Sequence, residues 1–415
     1  MSTTIGSVTT DEVLAEATRL RGTSGAGGAG DPTGADDTTG AGGAGAGGAG
    51  QEAPGPWSHA ELRARSEERA RSAGGVFVAS GGTSGEPKLT VMAPDLGVPR
   101  VMADWRPLGP GDVLLNLFST GKMWGAHYFY NALATACRST VAPMGALHPE
   151  EFGQWVDVIR DMRVNALAGA PNVLARFAEA ALAAGVELPV RAVIWSGEPM
   201  TRARVATLGR AFPAAGLWGN YGSIETFVIG TSNPECRLGA LHLLPGQLVE
   251  LAEEGALLTR VGDGWPTPAW RFRLGDRLRP TECPCGKADA FEVAGRADDN
   301  VKLYGGMVSV GEVHARAARI DGVHDTQLVL YRDPEVPSAV LGMRLRYTGT
   351  HPDPAAVRAT LVHAMEDLEL CDRHTPEAFV VEHADDVERS PRTHKVLPVL
   401  WRTAESLAGV VGGGA

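Results

Sequence analysis

The chain has 415 residues, a formal net charge of −11 at pH 7, 44% hydrophobic residues and five cysteines. This length allows two or three domains, and the negative charge argues against nucleic-acid or anionic-membrane partners, because both require a basic surface. No run of about 18 apolar residues is present, so no membrane span is expected. Few cysteines, and no basic-then-apolar leader over residues 1–16, predict a reducing cytoplasmic location.

The first part of the chain has a biased composition. Residues 22–50 are almost entirely Gly, Ala, Thr and Asp. Such a segment cannot bury enough apolar surface to offset its conformational entropy, so residues 1–55 are predicted to be a disordered N-terminal segment. A helix is predicted next over residues 58–73, with Ser58 as its N-cap.

The segment Val76–Met92 predicts a strand, a glycine- and hydroxyl-rich loop, and a second strand. Backbone N–H groups and hydroxyls of this loop would surround an anion, and Lys88 would add a positive charge. The pattern is not a Walker A motif, because Glu86-Pro87 precedes the lysine and a strand follows it. A hairpin with a chance lysine is the alternative. The residues assigned to phosphate binding are Ser80, Gly81, Gly82, Thr83, Ser84, Gly85 and Lys88.

Alternating apolar runs and amphipathic helical patterns fill residues 112–200 and predict an α/β sheet with helices on its faces. Short strands and turns predict a β-rich subdomain over residues 240–290. A smaller α+β unit follows, with a helix predicted over residues 354–368. The predicted domains are therefore the N-terminal segment 1–55, a large domain 56–297 and a small C-terminal domain 298–415.

Four further segments follow the loop in chain order: Trp195–Met200, Asn220–Thr226, Trp270–Arg277 and Gly295–Gly306. With the loop, they resemble the acyl-adenylate-forming superfamily of acyl-CoA synthetases, peptide-synthetase adenylation domains and luciferases. The third is similar to the family's Tyr-Arg-Thr-Gly-Asp, and the fourth to its Gly-Arg-x-Asp-Asp-x-x-Lys-x-x-Gly. The resemblance implies a large domain of helix-covered sheets with a β-rich subdomain, and a mobile α+β lid.

The resemblance also implies roles for single residues. Tyr221 would stack on adenine, Ser223 would reach the α-phosphate, Glu225 would coordinate Mg²⁺, and Asp276 would accept hydrogen bonds from the ribose hydroxyls. A divalent cation is expected on electrostatic grounds as well, because an acidic chain must hold a polyanion by local means. The remaining nucleotide-binding residues implied are Gly197, Glu198, Pro199, Asn220, Gly222, Arg296 and Lys302.

Two residues of the small domain receive a role in the same way. Asp298 would be the hinge between the large domain and the lid. Lys395 would be the catalytic lysine, delivered to the carboxylate and α-phosphate during adenylation. The family prefers a longer Pro-Arg-Thr-x-x-Gly-Lys loop, and here His394 stands where glycine is preferred. A surface lysine is therefore the alternative interpretation.

Within the superfamily, the chain looks most like the phenylacetate–CoA ligase branch and its short aryl-adenylating relatives in secondary metabolism. The segment Asn116–Tyr128 resembles that branch's glycine-rich segment ending in His-Tyr. It would bring Trp124, His127 and Tyr128 to the acid pocket, with His127 near the carboxylate. An ordinary core position is the alternative for these aromatic residues.

The cysteine pattern gives the second feature of that branch, whose members carry a structural zinc in this region. Thiolate and imidazole ligands suit a closed tetrahedral zinc site. The implied ligands are Cys236, His242, Cys283 and Cys285.

The expected function is ATP-dependent activation of a small, aromatic carboxylic acid as an acyl-adenylate, with release of pyrophosphate and transfer to coenzyme A. One alternative is an ATP-dependent diazotase that activates nitrite for reaction with an aromatic amine. Another is a degenerate nucleotide-binding homologue without catalysis. The expected partners are the acid and ATP, and a homodimer is the assembly considered.

Overall fold

A computed structural model describes residues 4–23, 55–80, 88–121, 123–147, 149–252, 254–297, 300–336, 338–349, 353–388 and 396–411. The strands in these ranges are β1 Thr4–Ile5, β2 Val76–Ser80, β3 Lys88–Met92, β4 Val113–Asn116, β5 Thr140–Ala142, β6 Ala166–Gly169, β7 Ala192–Ser196, β8 Gly216–Ser223, β9 Phe227–Ser232, β10 Leu241–Leu243, β11 Gln247–Glu250, β12 Leu257–Arg260, β13 Phe272–Arg273, β14 Asp276–Pro280, β15 Ala290–Arg296, β16 Asn300–Leu303, β17 Gly306–Ser309, β18 Val323–Arg332, β19 Val340–Gly349, β20 Phe379–His383 and β21 Val399–Thr403. The helices are α1 Thr10–Thr23, α2 His59–Ala73, α3 Val98–Asp104, α4 Gly125–Ala136, α5 Phe152–Asp161, α6 Pro171–Ala183, α7 Arg202–Ala211, α8 Val310–Ala317, α9 Pro354–Ala364, α10 Glu366–His374 and α11 Leu407–Val411, with 3₁₀ turns at Pro149–Glu151 and Pro376–Ala378.

A nine-stranded mixed sheet forms the centre of the large domain, in the order β14-β15-β10-β9-β8-β7-β6-β4-β5. The strands from β5 to β8 run parallel, and antiparallel pairing begins between β8 and β9. Two apolar cores pack against this sheet, because the helices that connect parallel strands cover its faces. The predicted α/β fold class is confirmed.

Polar side chains bind one another at the amino ends of the parallel strands. Asp112 accepts hydrogen bonds from the backbone N–H of Gly109 at 2.6 Å and from Nε of Arg191 at 2.6 Å. Asn165 donates to the same carboxylate at 3.2 Å and accepts from the N–H of Val113 at 2.9 Å. These contacts join the residues that precede β4, β6 and β7, so they stabilise the register of the three strands.

The second sheet of the large domain has the order β1-β11-β12-β13 and lies in the region predicted to be β-rich. Its edge strand β1 and the helix α1 bury Ile5, Ala17 and Leu20 in one core. Residues 4–23 are thus folded, which corrects the prediction of disorder over residues 1–55 for this part of the chain. Val13, Ala17 and Leu20 have the i, i+4, i+7 spacing of one helical face, and this face packs in the core. The low-complexity stretch was predicted at residues 22–50, and its part from residue 24 onward lies outside the described residues.

The C-terminal domain, here called the lid, is a four-stranded sheet of order β20-β19-β18-β21 covered by α8, α9 and α10. The helix predicted over residues 354–368 is two helices, α9 and α10. The helix is interrupted at Met365, whose backbone is extended (φ −131°, ψ 111°). Its side chain is buried in the lid core, with 5% exposure. In the large domain, the predicted N-cap of α2 is confirmed, since Ser58 and Glu61 form a reciprocal capping box.

Among the described residues, no helix combines the length and apolar character needed to cross a membrane.

Replacing Asp112 with Asn should lower the free energy of unfolding at pH 7 by about 2 kcal/mol, since hydrogen bonds to a charged group are lost. Burial opposes ionisation of Asp112, but Arg191 and the Gly109 N–H outweigh it and hold the pKa of this carboxyl below its ordinary value. The stabilisation is therefore present above the unfolded-state pKa and is lost as the pH falls through the lower folded-state pKa. Urea unfolding between pH 7 and pH 3 measures both effects.

The matched control is Asp157→Asn, because Asp157 pairs with Arg160 while its side chain is 80% exposed. Its effect should stay below about 0.5 kcal/mol. Equal losses for the two variants would contradict the role of Asp112.

Candidate active site

A cleft of about 1380 Å³ lies between the large domain and the lid. Its walls include residues from the carboxyl ends of β7 and β8, which is where α/β sheets bind ligands. The lid contributes Lys302, Met307 and Asp367 to the opposite wall. This volume exceeds that of most pockets for single small molecules, so the cleft has room for a nucleotide together with a second substrate.

The turn between β8 and β9 carries Glu225 into this cleft. A Cβ placed on Gly222 would lie 1.7 Å from the carbonyl oxygen of Phe227, so the turn requires glycine there. The N–H of Thr226 donates to Oγ of Ser223 at 3.3 Å and closes the turn. Among the described residues, the Glu225 carboxylate has no hydrogen bond or ion pair. It is therefore available to a cation in the cleft.

Tyr221, Asp276 and Arg296 form one hydrogen-bonded group on the cleft wall. Tyr221 donates its hydroxyl to Oδ2 of Asp276 at 2.7 Å, and Arg296 donates to Oδ1 at 3.2 Å. Burial and the Asp276 charge raise the pKa of Tyr221 well above its ordinary value, so the phenol stays a donor. Burial also raises the pKa of Asp276, although Arg296 opposes this shift. The structure thus brings together residues from three separate sequence motifs.

A second polar chain lies behind the cleft. Ser196 donates to Oδ1 of Asn220 at 2.7 Å, and Asn220 donates to the hydroxyl of Tyr130 at 2.5 Å. Burial raises the pKa of Tyr130, so its hydroxyl also stays protonated. Stacking of Tyr130 on Phe118, with ring centroids 4.6 Å apart, completes an apolar backing for this chain. These contacts fix the Asn220 side chain between β7 and α4.

Glu198 lies where the lid meets the large domain. Both of its carboxylate oxygens are solvent-inaccessible and accept no hydrogen bond from any described residue, and Arg204 is its ion-pair partner at 3.3 Å. Arg204 also lies over the ring of Tyr304 from the lid, 5.4 Å from the centroid.

Burial lowers the pKa of Lys302, whereas the charges of Glu198 and Asp276 oppose this change. Lys302 is therefore brought to the cleft beside two acidic groups.

The residues predicted for the acid pocket lie in different surroundings. Trp124 lines the cleft at the start of α4. His127 is 8% exposed, and its Nδ1 donates to the carbonyl of Phe118 at 2.9 Å; it is not among the described residues that line the cleft. Tyr128 is 48% exposed and also lies outside the cleft lining. Of the three aromatic residues, Trp124 is the one in contact with the cavity.

Several predicted site residues lie outside the described part of the chain. Ser80 and Lys88 are paired across the hairpin at the ends of β2 and β3. The residues between them, Gly81 to Pro87, are outside the described ranges, as are Asp298 and Lys395. Among the remaining residues implied for the nucleotide, Gly197, Pro199 and Ser223 line the cleft.

Cys236, His242, Cys283 and Cys285 are brought together from two turns and one strand, with their ligand atoms all within 4.8 Å of one another. Nδ1 of His242 donates to the carbonyl of Ala288 at 2.8 Å, which directs Nε2 toward the cysteines, 3.1 Å from Sγ of Cys285. Burial opposes ionisation of Cys283, but the N–H of Cys285 and His242 lower the pKa of its thiol to about 6. Three thiolates and one imidazole suit zinc, and the geometry fits a four-ligand site.

Cleft-lining residues that the sequence analysis did not single out include Trp57 and Arg237. It also missed Arg204, which pairs with the cleft residue Glu198. Arg237 donates to Thr281 at 2.7 Å and to Glu292 at 3.1 Å, which fixes the cleft wall next to Cys236. An arginine within a helix or turn usually extends into solvent, so the sequence held no signal for either arginine. The aromatic Trp57 directly before the N-cap of α2 was a weak signal that could have been used.

A model of the family described as AMP-binding enzyme matches residues 58–286, which is more than half of the chain. The chain belongs to the family of AMP-binding enzymes. The match includes the turn that carries Glu225 and the strand that begins at Asp276. It supports the sequence-based identification of the acyl-adenylate-forming superfamily.

Among curated proteins, the chain is similar to indoleacetate–lysine synthetase of Pseudomonas savastanoi, with 25% identity over 205 residues, 49% of this chain and 51% of that protein. It thus spans about half the length of this relative. The fold is similar to that of the amide bond synthetase McbA from Marinactinospora thermotolerans (TM-score 0.55, 19% identity, 78% of this chain and 67% of the other). It is also similar to 2-hydroxyisobutyryl-CoA ligase with 2-HIB-AMP and CoA (TM-score 0.53, 17% identity, 79% and 73%). These structures establish the adenylate-forming fold.

Replacing Tyr221 with Phe should weaken AMP binding about tenfold, because loss of a hydrogen bond to a charged group costs about 1.5 kcal/mol and leaves Asp276 with fewer donors. Isothermal titration calorimetry with AMP measures the change. The control is Tyr128→Phe, which removes the hydroxyl of a half-exposed tyrosine and should leave AMP affinity unaltered. Similar affinities for wild type and Tyr221→Phe would refute the proposed link between the phenol and nucleotide binding.

Proposed function

We propose that the protein uses ATP to activate a small carboxylic acid as an acyl-adenylate. The observation that carries this proposal is the meeting of Tyr221, Glu225 and Asp276 in one cleft, although they come from two motifs more than 50 residues apart. Family membership supports the same chemistry. A carboxylate oxygen of the acid attacks the α-phosphorus of ATP, the bond between the α-phosphorus and the bridging oxygen breaks, and pyrophosphate leaves with that oxygen.

The residues of the chain would divide this work. Tyr221 would pack against adenine, and Asp276 would accept from the ribose hydroxyls while Arg296 and Tyr221 hold its orientation. Glu225 is the proposed ligand of Mg²⁺, which would neutralise phosphate charge. Trp124, which lines the cleft, is the proposed apolar wall for an aromatic acid.

Lys395 is the proposed catalytic residue of adenylation. The described residues on either side of its segment are held in place, since Gln327 is fully buried and donates to the carbonyls of Glu388 at 3.0 Å and Leu397 at 2.8 Å. The N–H of Leu397 also donates to the carbonyl of Glu388 at 2.9 Å. The two ends of the lysine-bearing segment are therefore fixed on β18, and rotation about Asp298 is the proposed means of moving the lid.

Coenzyme A is the proposed acceptor of the acyl group. Amide formation is the second candidate, because both indoleacetate–lysine synthetase and an amide bond synthetase are among the relatives.

A pyrophosphate-release screen separates these possible acceptors. It should pair aryl acids with CoA, lysine or no acceptor, and include nitrite with an arylamine; release with nitrite and amine alone would support diazotisation instead.

Lys395→Ala should lower the rate of pyrophosphate release at least about 100-fold while ATP affinity changes less than about threefold, because the ammonium stabilises charge that develops in the transition state. Pyrophosphate release and ATP titration measure the two effects. Lys287→Ala is the control, since Lys287 pairs with Asp104 away from the cleft. Activity within a few-fold of wild type would remove Lys395 from the mechanism.

A structural zinc is proposed at Cys236, His242, Cys283 and Cys285, where it would join the β9–β10 turn to the β14–β15 turn. We expect about one zinc per chain by metal analysis, and a large loss of thermal stability in Cys283→Ser and Cys285→Ser, because structural zinc contributes directly to folding. The matched control is Cys137→Ser, a buried cysteine outside the cluster. A metal-free protein as stable as the zinc-loaded form would rule out this site.

A further inference from the structure

Arg260 at the end of β12 is buried without a carboxylate partner among the described residues. It is 2% exposed, and its guanidinium donates to Oε1 of Gln247 at 3.0 Å and to the carbonyl of Val228 at 3.0 Å. Burial lowers its pKa to about 9, so it remains a cation at neutral pH. A buried charge that binds only neutral acceptors is costly, which calls for a role beyond packing.

The remaining donors of Arg260 bind Thr267. Nη1 donates to the Thr267 carbonyl at 3.1 Å and to its Oγ1 at 3.2 Å. Arg260 also lies 4.7 Å from the ring centroid of Trp265, and Arg100 lies 4.2 Å from the same centroid. The segment Trp265–Thr267 is thus attached to β12 and α3.

A third arginine attaches this segment to α2. Arg69 donates to the carbonyl of Trp265 at 2.8 Å and to that of Pro266. A Cβ on Gly97 would lie 2.6 Å from Pro266, so α3 approaches the segment as closely as glycine permits. Trp265–Thr267 is therefore held from three sides by rigid elements.

The Thr267 hydroxyl connects this segment to the candidate active site. Thr267 is fully buried, and its Oγ1 donates to the backbone carbonyl of Glu225 at 2.9 Å. The turn that carries Glu225 is also bound on its other side, where Arg260 donates to Val228 in β9. The Arg260 guanidinium thus holds the Glu225 turn in two ways. It binds Val228 in β9, and it binds Thr267, which in turn binds the Glu225 carbonyl.

We propose that Thr267 and Arg260 are positioning residues that hold the Glu225 turn in place and thereby set the affinity of the site for the divalent cation accompanying the nucleotide. This inference rests on the proposed role of Glu225. Neither residue contacts the cleft, so both act through the backbone of Glu225 and not on substrate. The threonine hydroxyl is the specific element, because valine has nearly the same shape but cannot donate to the Glu225 carbonyl.

The decisive comparison is Thr267→Val against Thr267→Ser. Loss of one buried hydrogen bond, about 1 kcal/mol, should raise the Mg²⁺ concentration for half-maximal pyrophosphate release about fivefold in Thr267→Val. Thr267→Ser keeps the hydroxyl and should remain within about twofold of wild type. The KM for the acid should be unaltered in both. Thr259→Val is the control, since Thr259 is 1% exposed and its hydroxyl accepts from the N–H of Arg271, away from Glu225.

Direct binding separates this inference from the proposed function. Titration of Mn²⁺ into the protein with a non-hydrolysable ATP analogue, without any acid, should show the same fivefold weakening in Thr267→Val even if no acid substrate is found. A wild type that binds the complex but releases no pyrophosphate would contradict the proposed reaction alone. Equal Mn²⁺ affinity in wild type and a folded Thr267→Val would overturn the positioning role.

Arg260→Lys provides a second variant if Thr267→Val does not fold. Lysine keeps the charge but cannot reach Gln247, Val228 and Thr267 together, because it lacks the planar fork of guanidinium donors. We expect a loss of Mn²⁺ affinity at least as large as in Thr267→Val, with rescue of thermal stability relative to Arg260→Met. A folded Arg260→Lys with wild-type Mn²⁺ affinity would exclude Arg260 from the positioning group.

Discussion

The absence of a side chain at Gly222 is the constraint on which the candidate site depends. The carbonyl of Phe227 occupies the space where a Cβ would be, so β8 and β9 can reverse direction within four residues. This reversal ends the parallel part of the sheet and places Tyr221, Ser223 and Glu225 at one edge of the cleft. Tyr221 can then reach Asp276, and the Glu225 carbonyl can meet the Thr267 hydroxyl. A larger residue at position 222 would therefore displace Tyr221, Ser223 and Glu225 at the same time.

Charge is organised locally in this acidic chain. Asp276 is partly buried with a tyrosine and an arginine as donors, Glu198 is buried beside Arg204, and Arg260 is buried among neutral acceptors. Buried charges of both signs in one region are costly unless each has a defined set of partners. The result is a rigid wall with fixed dipoles, which is the arrangement that stabilises a polyanionic ligand without reorganisation at the moment of reaction.

The lid contributes to this wall through its first hairpin, β16–β17, which brings Lys302 beside Glu198 and Asp276. Additional contacts join the lid to α6 and α7, including the donation of Arg176 to the carbonyl of His374 at 3.2 Å and the ion pair of Arg202 with Glu335. These contacts between described residues are polar, whereas the core within each domain is apolar. Polar interfaces between domains of one chain are typical of domains that move relative to one another.

Local sequence patterns determined much of this protein: the parallel α/β core, the capped start of α2, the β-rich region and the motif segments around Tyr221, Asp276 and Cys283. These signals act over a few residues or over spacings typical of a family. Tertiary structure alone decided that His127 bonds to Phe118 whereas the adjacent Tyr128 is exposed, that α1 docks on the second sheet, and that Arg260 is buried. The reason is physical, since side-chain direction on a helix and contacts such as Thr267 to Glu225, 42 residues apart, depend on packing that no local pattern contains.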